Sequence, residues 1–189
     1  MFEEKNIVLA SSSPRRKELL EKAGIAFGVR ISHADEDFPG NMPVEKVPEH
    51  LAVKKAMTIQ RQSNEGELIL AADTIVVLDD KILGKPESDA HAKEILRLLS
   101  GKMHRVITGV CLLQGRKMIG FSEVTKVFFY DLAESQIDYY VANYHPLDKA
   151  GAYAIQEWIG LTGIEKIEGD YFNVVGLPVS RVIKEIEIF

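Results

Sequence analysis

The sequence predicts an α/β fold: a mixed central sheet flanked by helices. Two patterns carry that expectation. Short apolar runs alternate with helices bounded by good capping residues, the signature of strand–helix–strand crossovers. Elsewhere, apolar runs follow one another with only turn residues between them, which makes local hairpins. Crossovers mixed with hairpins give a sheet with both parallel and antiparallel neighbours. No linker-like stretch interrupts the chain, so residues 1–189 read as one domain, with two lobes around one cleft rather than two independent domains.

Taken in chain order, residues 7–10 are a short apolar run suited to a buried strand. The helix that follows is well punctuated. Ser13 suits the N-cap, Pro14 the first helical position and Gly24 the position after the C-cap, with Leu19, Leu20 and Ala23 as the buried stripe. Residues 27–32 read as a second strand, and 33–43 as a loop carrying Asp35, Glu36 and Asp37. A helix is expected from Pro48 to about Gln62, bearing Lys54 and Lys55. Residues 68–72 and 74–78 make a strand around a lone Asp73, and Asp79-Asp80 turns the chain into Ile82-Leu83 and then Gly84-Lys85-Pro86. Ser88 caps a helix running to Leu99, closed by Gly101. Residues 106–113, 118–121 and 124–130 look like three consecutive strands, followed by a helix over 134–143. Two further strands are expected before a short amphipathic C-terminal helix over 180–186, and 169–178 reads as a turn and buried strand of mainly structural importance.

Composition narrows the function. At 46% hydrophobic and 27% charged residues, the chain has ordinary globular values, which excludes disorder as its main state. Lys plus Arg number 23 against 28 Asp plus Glu, a net charge of -5, so stable nucleic acid binding through a basic face is disfavoured. A local cationic pocket for a small anion is compatible with that balance. The single cysteine, Cys111, forms no internal disulfide, and the opening Met1-Phe2-Glu3-Glu4-Lys5 is acidic where a signal peptide is basic. The chain therefore reads as cytoplasmic. Its longest apolar stretch, 68–78, is interrupted by Asp73 and too short for a bilayer, so no membrane association is expected.

Several stretches could carry chemistry. Residues 11–16, Ser-Ser-Ser-Pro-Arg-Arg, run from a strand into a helix N-terminus, whose free N–H groups attract anions. Arg15 and Arg16 in the first turn oppose the helix dipole, and a bound anion would offset that; the alternative is a capped surface helix with solvated arginines. Asp73 is costly to bury unless paired, and acids so placed serve as bases or metal ligands; the alternative is a structural aspartate bonded to backbone amides. Thr74 adds a second polar group beside it. Lys85, held between Gly84 and Pro86, and Lys55, on a helix, could each be functional or merely solvated. Glu36 serves either solubility or a hard divalent cation. In 148–156 small residues allow close backbone approach, and Gln156 offers the donor and acceptor that a nucleobase edge needs, or else is a satisfied core amide. The phosphate-loop and dinucleotide fingerprints, paired-cysteine zinc spacing, His-Glu-x-x-His and the Gly-x-Ser-x-Gly elbow are all absent from the sequence.

These blocks occur together in an order that resembles one family. Ala10-Ser11-Ser12-Ser13-Pro14-Arg15-Arg16, Ala72-Asp73-Thr74, Lys85-Pro86, Ser100-Gly101-Lys102 with His104, Thr108-Gly109, Asp148-Lys149-Ala150-Gly151-Ala152-Tyr153, Ile155-Gln156 and Asn173-Val174-Val175-Gly176-Leu177-Pro178 are similar to the Maf family of nucleoside triphosphate pyrophosphatases. The resemblance covers essentially the whole chain. It implies a two-lobed mixed α/β fold shared with the inosine triphosphatases. It also implies hydrolysis of the α–β phosphoanhydride bond of a nucleoside triphosphate with a divalent cation, Mg²⁺ or Mn²⁺. Within it Asp73 takes the place of the general base, with Glu36, Lys55 and Lys85 as further catalytic positions and Asp73 and Glu36 as metal ligands. Arg15, Thr74 and Gln156 fall on the positions that sort substrates, and Arg15 places the chain on the dTTP- and UTP-hydrolysing branch. Ser11, Ser13 and Arg16 would help to hold the triphosphate. A homodimer is suggested. The alternatives carried beside this reading are a non-catalytic nucleotide-binding regulator of cell division and septum formation, and a house-cleaning hydrolase of other noncanonical nucleotides. Ala154, where Gly is common, and Glu157-Trp158 depart from the family pattern near the expected base pocket.

Overall fold

The structure, a computed structural model, describes residues 5–64 and 66–189; the acidic opening over residues 1–4 lies outside the described residues. Its strands are β1 (Ile7–Leu9), β2 (Phe27–Val29), β3 (Leu68–Leu78), β4 (Lys81–Leu83), β5 (Met103–Gln114), β6 (Lys117–Phe129) and β7 (Ile164–Glu168). Its helices are α1 (Pro14–Lys22), α2 (Val47–Gln60), α3 (Asp89–Leu99), α4 (Glu134–Tyr144), α5 (Trp158–Thr162), α6 (Tyr171–Val175) and α7 (Val179–Glu187). The strands are hydrogen-bonded in the order β2-β1-β3-β5-β6-β7, with β4 beside β3. β1 runs parallel to β2 and β3, whereas β4 is antiparallel to β3 and β7 to β6, so the sheet is mixed as the sequence predicts.

The chain divides into two compact units. The first comprises the described residues up to Asp73 with Thr108–Glu123 and Gly176–Phe189. In it, Ile7 pairs with both Phe27 and Leu68, and the crossovers between these parallel strands carry α1 and α2. α1 begins where the sequence predicts, because the Ser13 hydroxyl accepts from the Arg16 N–H at 3.4 Å and Pro14 fills the first helical position. It ends at Gly24, whose φ of +69° is the left-handed conformation that closes a helix. Ala52, Ala56 and Ile59 of α2 pack with Val8, Ala10, Ile69, Ala71, Cys111 and Leu113 as one apolar cluster. Small residues on α2 let it lie close to the strands. At Gly109 of β5 the approach is tightest: a Cβ there would stand 2.0 Å from the Glu49 nitrogen and 2.1 Å from the Pro48 carbonyl carbon.

The second unit comprises Thr74–Ile107 and Val124–Val175. Asp79 and Asp80 adopt φ of +47° and +61°, the paired left-handed turn that suits the twist of a tight hairpin, and so join β3 to β4. α3 starts at Ser88, whose hydroxyl accepts from the His91 N–H at 3.2 Å, and it buries Ala92, Ile95, Leu96 and Leu99, a helical i, i+3, i+4, i+7 stripe. These residues share a core with Ile137, Tyr140 and Val141 of α4 and with Val76, Val106, Val127 and Phe129 of the strands.

Three sequence expectations are corrected. β6 is one strand through residues 122–123, where a break between two strands is expected. The polar Ser122 and Glu123 do not interrupt it because they have partners: the Ser122 hydroxyl donates to the Glu45 carbonyl, and Glu123 takes the Arg181 guanidinium at 2.8 Å. Residues 171–175 are helical, not a buried strand. The Asp170 carboxylate accepts from the Phe172 N–H at 2.7 Å and starts the turn, and buried Asn173 donates to the Val106 carbonyl at 3.1 Å and the Thr125 hydroxyl at 2.9 Å. Those contacts override the strand preference of Val174-Val175. Lastly, α5 stands in the region where only strands are expected.

Candidate functional site

The site builds up from the first unit. At the end of β1 the chain turns through Ser11–Ser13 into α1, and the Ser11 hydroxyl accepts from the Ser13 N–H at 3.2 Å. Arg16 does not spread into solvent. Its side chain folds back, donating from Nε to the Gly176 carbonyl at 2.9 Å and from Nη1 to the Ser11 hydroxyl at 3.2 Å. The guanidinium is buried, and burial lowers its pKa; the nearby charges of Asp73 and Glu36 act in the opposite direction. Arg16 thus ties the turn to the Asn-Val-Val-Gly-Leu-Pro segment, which the sequence reading treats as mainly structural. Gly176 is therefore a supporting residue that sequence reasoning missed, and the motif itself was the available signal. Arg15, one residue earlier, is half-buried.

Asp73 sits near the middle of β3 with Ala71 and Ala72 before it, both fully buried. Lys55 reaches across from α2, its ammonium 2.5 Å from the Asp73 carboxylate and 3.0 Å from that of Glu36. Lys55 and Asp73 each keep 13% of their side-chain surface exposed, against 64% for Glu36, so the pair is sheltered and Glu36 meets solvent. The neighbouring Lys54, to which the sequence reading gives no role, bonds the Asp35 carboxylate and the Asp37 carbonyl, the latter at 2.9 Å. Two adjacent lysines on one helix therefore hold the acidic loop at neighbouring points. One of the two loop carboxylates they hold is Glu36, the predicted site residue.

A resident divalent cation can be tested against these residues. The Asp73 and Glu36 oxygens both stand within 3.0 Å of a single nitrogen. Two carboxylates so close together fit a hard cation that draws its other ligands from phosphate and water. Among the described residues, no group of three or more His, Cys, Asp or Glu side chains is gathered around a common point, so the fit is to an open two-carboxylate site.

Of the predicted residues, Ser11, Ser13, Arg15, Arg16, Glu36, Lys55 and Asp73 belong to the first unit, while Thr74, Lys85 and Gln156 belong to the second. Thr74 is half-buried on β3. Lys85 is exposed beyond β4, between Gly84, whose carbonyl accepts from the Gly151 N–H at 3.1 Å, and buried Pro86. Gln156 is exposed, and its side chain makes no hydrogen bond to any described residue, which rules out the satisfied core amide.

Known proteins resemble this chain over nearly its whole length. The chain is 48% identical over 182 residues to a dTTP/UTP pyrophosphatase of Cytophaga hutchinsonii, covering 96% of this chain and 83% of that one. It is 47% identical to the protein of the same name from Phocaeicola vulgatus, over 98% and 97% of the two chains. A Bacillus cereus protein, again named dTTP/UTP pyrophosphatase, is 46% identical over 98% and 90%. Among solved structures, the Staphylococcus aureus Ham1 protein superposes with a TM-score of 0.50 at 14% identity, covering 67% of this chain and 73% of that one, a likeness of fold alone. The family description "Maf-like protein" matches residues 6–189, which takes in the Ser-Pro-Arg-Arg turn, the Lys55–Asp73 pair and the Gln156 turn together. On that match and those identities, this chain belongs to the Maf-like family.

Proposed function

We propose that this protein hydrolyses dTTP and UTP to the nucleoside monophosphate and pyrophosphate. The observation that carries the reading is the assembly of Asp73, Lys55 and Glu36 beside the buried Arg16, in a chain so close to proteins named for that activity. At the start of α1, half-buried Arg15 carries a guanidinium whose fork suits phosphate oxygens. Arg16 braces that turn from behind. Asp73 accepts the proton of a water that attacks the α-phosphorus; the bond from that phosphorus to the α–β bridging oxygen breaks, and pyrophosphate leaves with the electron pair. Lys55 keeps the Asp73 carboxylate aimed and offsets the charge that grows on the departing pyrophosphate, a role the family pattern also assigns to Lys85. Asp73 and Glu36 would hold a Mg²⁺ or Mn²⁺ ion, which when bound neutralises phosphate charge. Thr74 and Gln156 are assigned to the pyrimidine by the family pattern, and Gln156 has its amide unspent for that purpose.

Incubating the purified protein with a panel of nucleoside triphosphates and Mg²⁺ or Mn²⁺ tests the reading. Monophosphate and pyrophosphate from dTTP and UTP, in preference to purine nucleotides, is the expected outcome. Release of inorganic phosphate instead would refute attack at the α-phosphorus. Preference for purine nucleotides would refute the pyrimidine assignment, and binding without turnover would leave a regulator.

A further inference from the structure

We infer that Tyr140 is a positioning residue for base recognition, acting with Glu157 as a staple across the tight turn that presents Gln156. The inference rests on the reading of Gln156 as the base-contacting amide. Residues 154–157 close a turn in which the Glu157 N–H donates to the Ala154 carbonyl at 3.1 Å. Ile155 and Gln156 occupy its corners; Ile155 is buried and Gln156 exposed. One phenol oxygen binds both ends of this turn. The Tyr140 hydroxyl accepts from the Ala154 N–H at 3.1 Å and donates to the Glu157 carboxylate. It has a single proton, so donation to Glu157 fixes the lone pairs that face Ala154. Burial, followed by the bond to Glu157, pushes the phenol pKa up, so it remains a protonated donor in the working pH range.

The staple is itself anchored. Tyr140 is fully buried on α4. The Lys149 ammonium lies 3.4 Å from the other Glu157 oxygen and 2.8 Å from Asp148, which keeps the carboxylate from swinging away. Just upstream, the Tyr153 hydroxyl shares a 2.7 Å hydrogen bond with buried His104. Just downstream, a Cβ on Gly160 would stand 1.7 Å from the Ile155 carbonyl oxygen, so α5 presses directly on the turn. From 153 to 157, then, each backbone neighbour of Gln156 is held, and the Gln156 side chain alone is uncommitted. An amide tells donors from acceptors only when it is aimed to within about half an ångström.

The experiment compares Tyr140→Phe, Glu157→Ala and Glu157→Gln with the parent, each also in a Gln156→Ala background. Steady-state kinetics on dTTP, UTP and a purine triphosphate are the readout, at saturating Mg²⁺. Tyr140→Phe and Glu157→Ala should raise KM for dTTP and UTP about tenfold with kcat within about twofold, the mark of lost binding alignment. Glu157→Gln keeps an oxygen for the Tyr140 hydroxyl but turns its NH2 toward the Lys149 ammonium, and should recover part of the loss. In the Gln156→Ala background none of the three should cost anything further, because the staple acts through that side chain. Equal loss of kcat on every nucleotide, or an undiminished KM rise in the Gln156→Ala background, overturns the staple while leaving the role of Gln156 intact. If Gln156→Ala itself leaves base discrimination unchanged, the reading of Gln156 falls and the staple with it. Should Tyr140→Phe fail to fold, the Glu157 variants carry the same test.

Discussion

Gly109→Ala is the substitution for which the structure gives the sharpest expectation. The added methyl carbon would lie 2.0 Å from the Glu49 nitrogen and 2.1 Å from the Pro48 carbonyl carbon, both backbone atoms that cannot turn aside. Ordinary contact requires roughly 3.4 Å or more, so the first turn of α2 must retreat from β5 by over ~1 Å. Forcing a backbone apart in a packed interior costs about 3–5 kcal/mol, at or above the upper end for overpacking. For a chain of this length that corresponds to a Tm lower by roughly 10 °C. The displacement also reaches the site. Lys55 lies two turns further along the same helix and holds Asp73 at 2.5 Å. A shift of that size should lower kcat/KM by on the order of 10²-fold, even in the fraction that remains folded. Thermal unfolding followed by circular dichroism, with pyrophosphate release measured at 20 °C, gives both numbers. Gly40→Ala is the control, since a Cβ at Gly40 meets nothing within 4 Å. A Gly109→Ala protein that melts with the parent would refute the packing argument. One that melts early yet keeps its full kcat/KM would refute the coupling of α2 to the site.

Other expectations follow from the same geometry. Asp73→Asn retains the shape of the side chain and removes the base, so kcat should fall roughly 10²–10⁴-fold; turnover near the parent's would take Asp73 out of that role. Lys54→Met removes one of the two lysine ties between α2 and the Asp35–Asp37 loop and should raise the Mg²⁺ or Mn²⁺ concentration needed for half-maximal activity several-fold, with kcat at saturating metal little altered; an unchanged metal titration would show that Lys54 does not help to present Glu36. Acid should weaken the fold in two steps. Burial holds His104 neutral by lowering its pKa to about 3, so the unfolded chain takes up a proton that the folded one refuses, and stability declines as pH falls from 6.5 toward 3, by about 1.4 kcal/mol per pH unit. The Arg30 guanidinium lowers the Glu67 pKa to about 2, so the stability that this pair contributes above pH 4.5 is lost between 4.5 and 2. Denaturant titrations of His104→Phe and Glu67→Gln across pH 3–8 should show flatter profiles than the parent in those two windows respectively.

Local signals placed most of the scaffold. Ser13, Pro14 and Gly24 bound α1, and Ser88 and Gly101 bound α3, because caps and left-handed closures act through atoms two to four residues away. Asp73 announced itself as a charge inside an apolar strand, since burying it demands a partner; the partner, Lys55, is eighteen residues away and no spacing rule selects it over Lys54. The same limit explains the errors. Ser122-Glu123 reads as a break until Glu45 and Arg181 arrive to satisfy it, and Val174-Val175 reads as a strand until Asn173 is bonded to Val106 and Thr125.

What the sequence determined by itself is therefore the set of elements with their own start and stop chemistry, the order of the motif blocks, and the family they resemble. Tertiary structure alone decided which lysine meets which carboxylate, that Arg16 turns inward to Ser11 and Gly176, and that one phenol joins both ends of the Gln156 turn. The division has a physical origin. Backbone hydrogen bonds of caps and turns are short-range in the chain, whereas side-chain pairings depend on which surfaces are buried together. That burial is a property of the whole folded chain rather than of any local stretch.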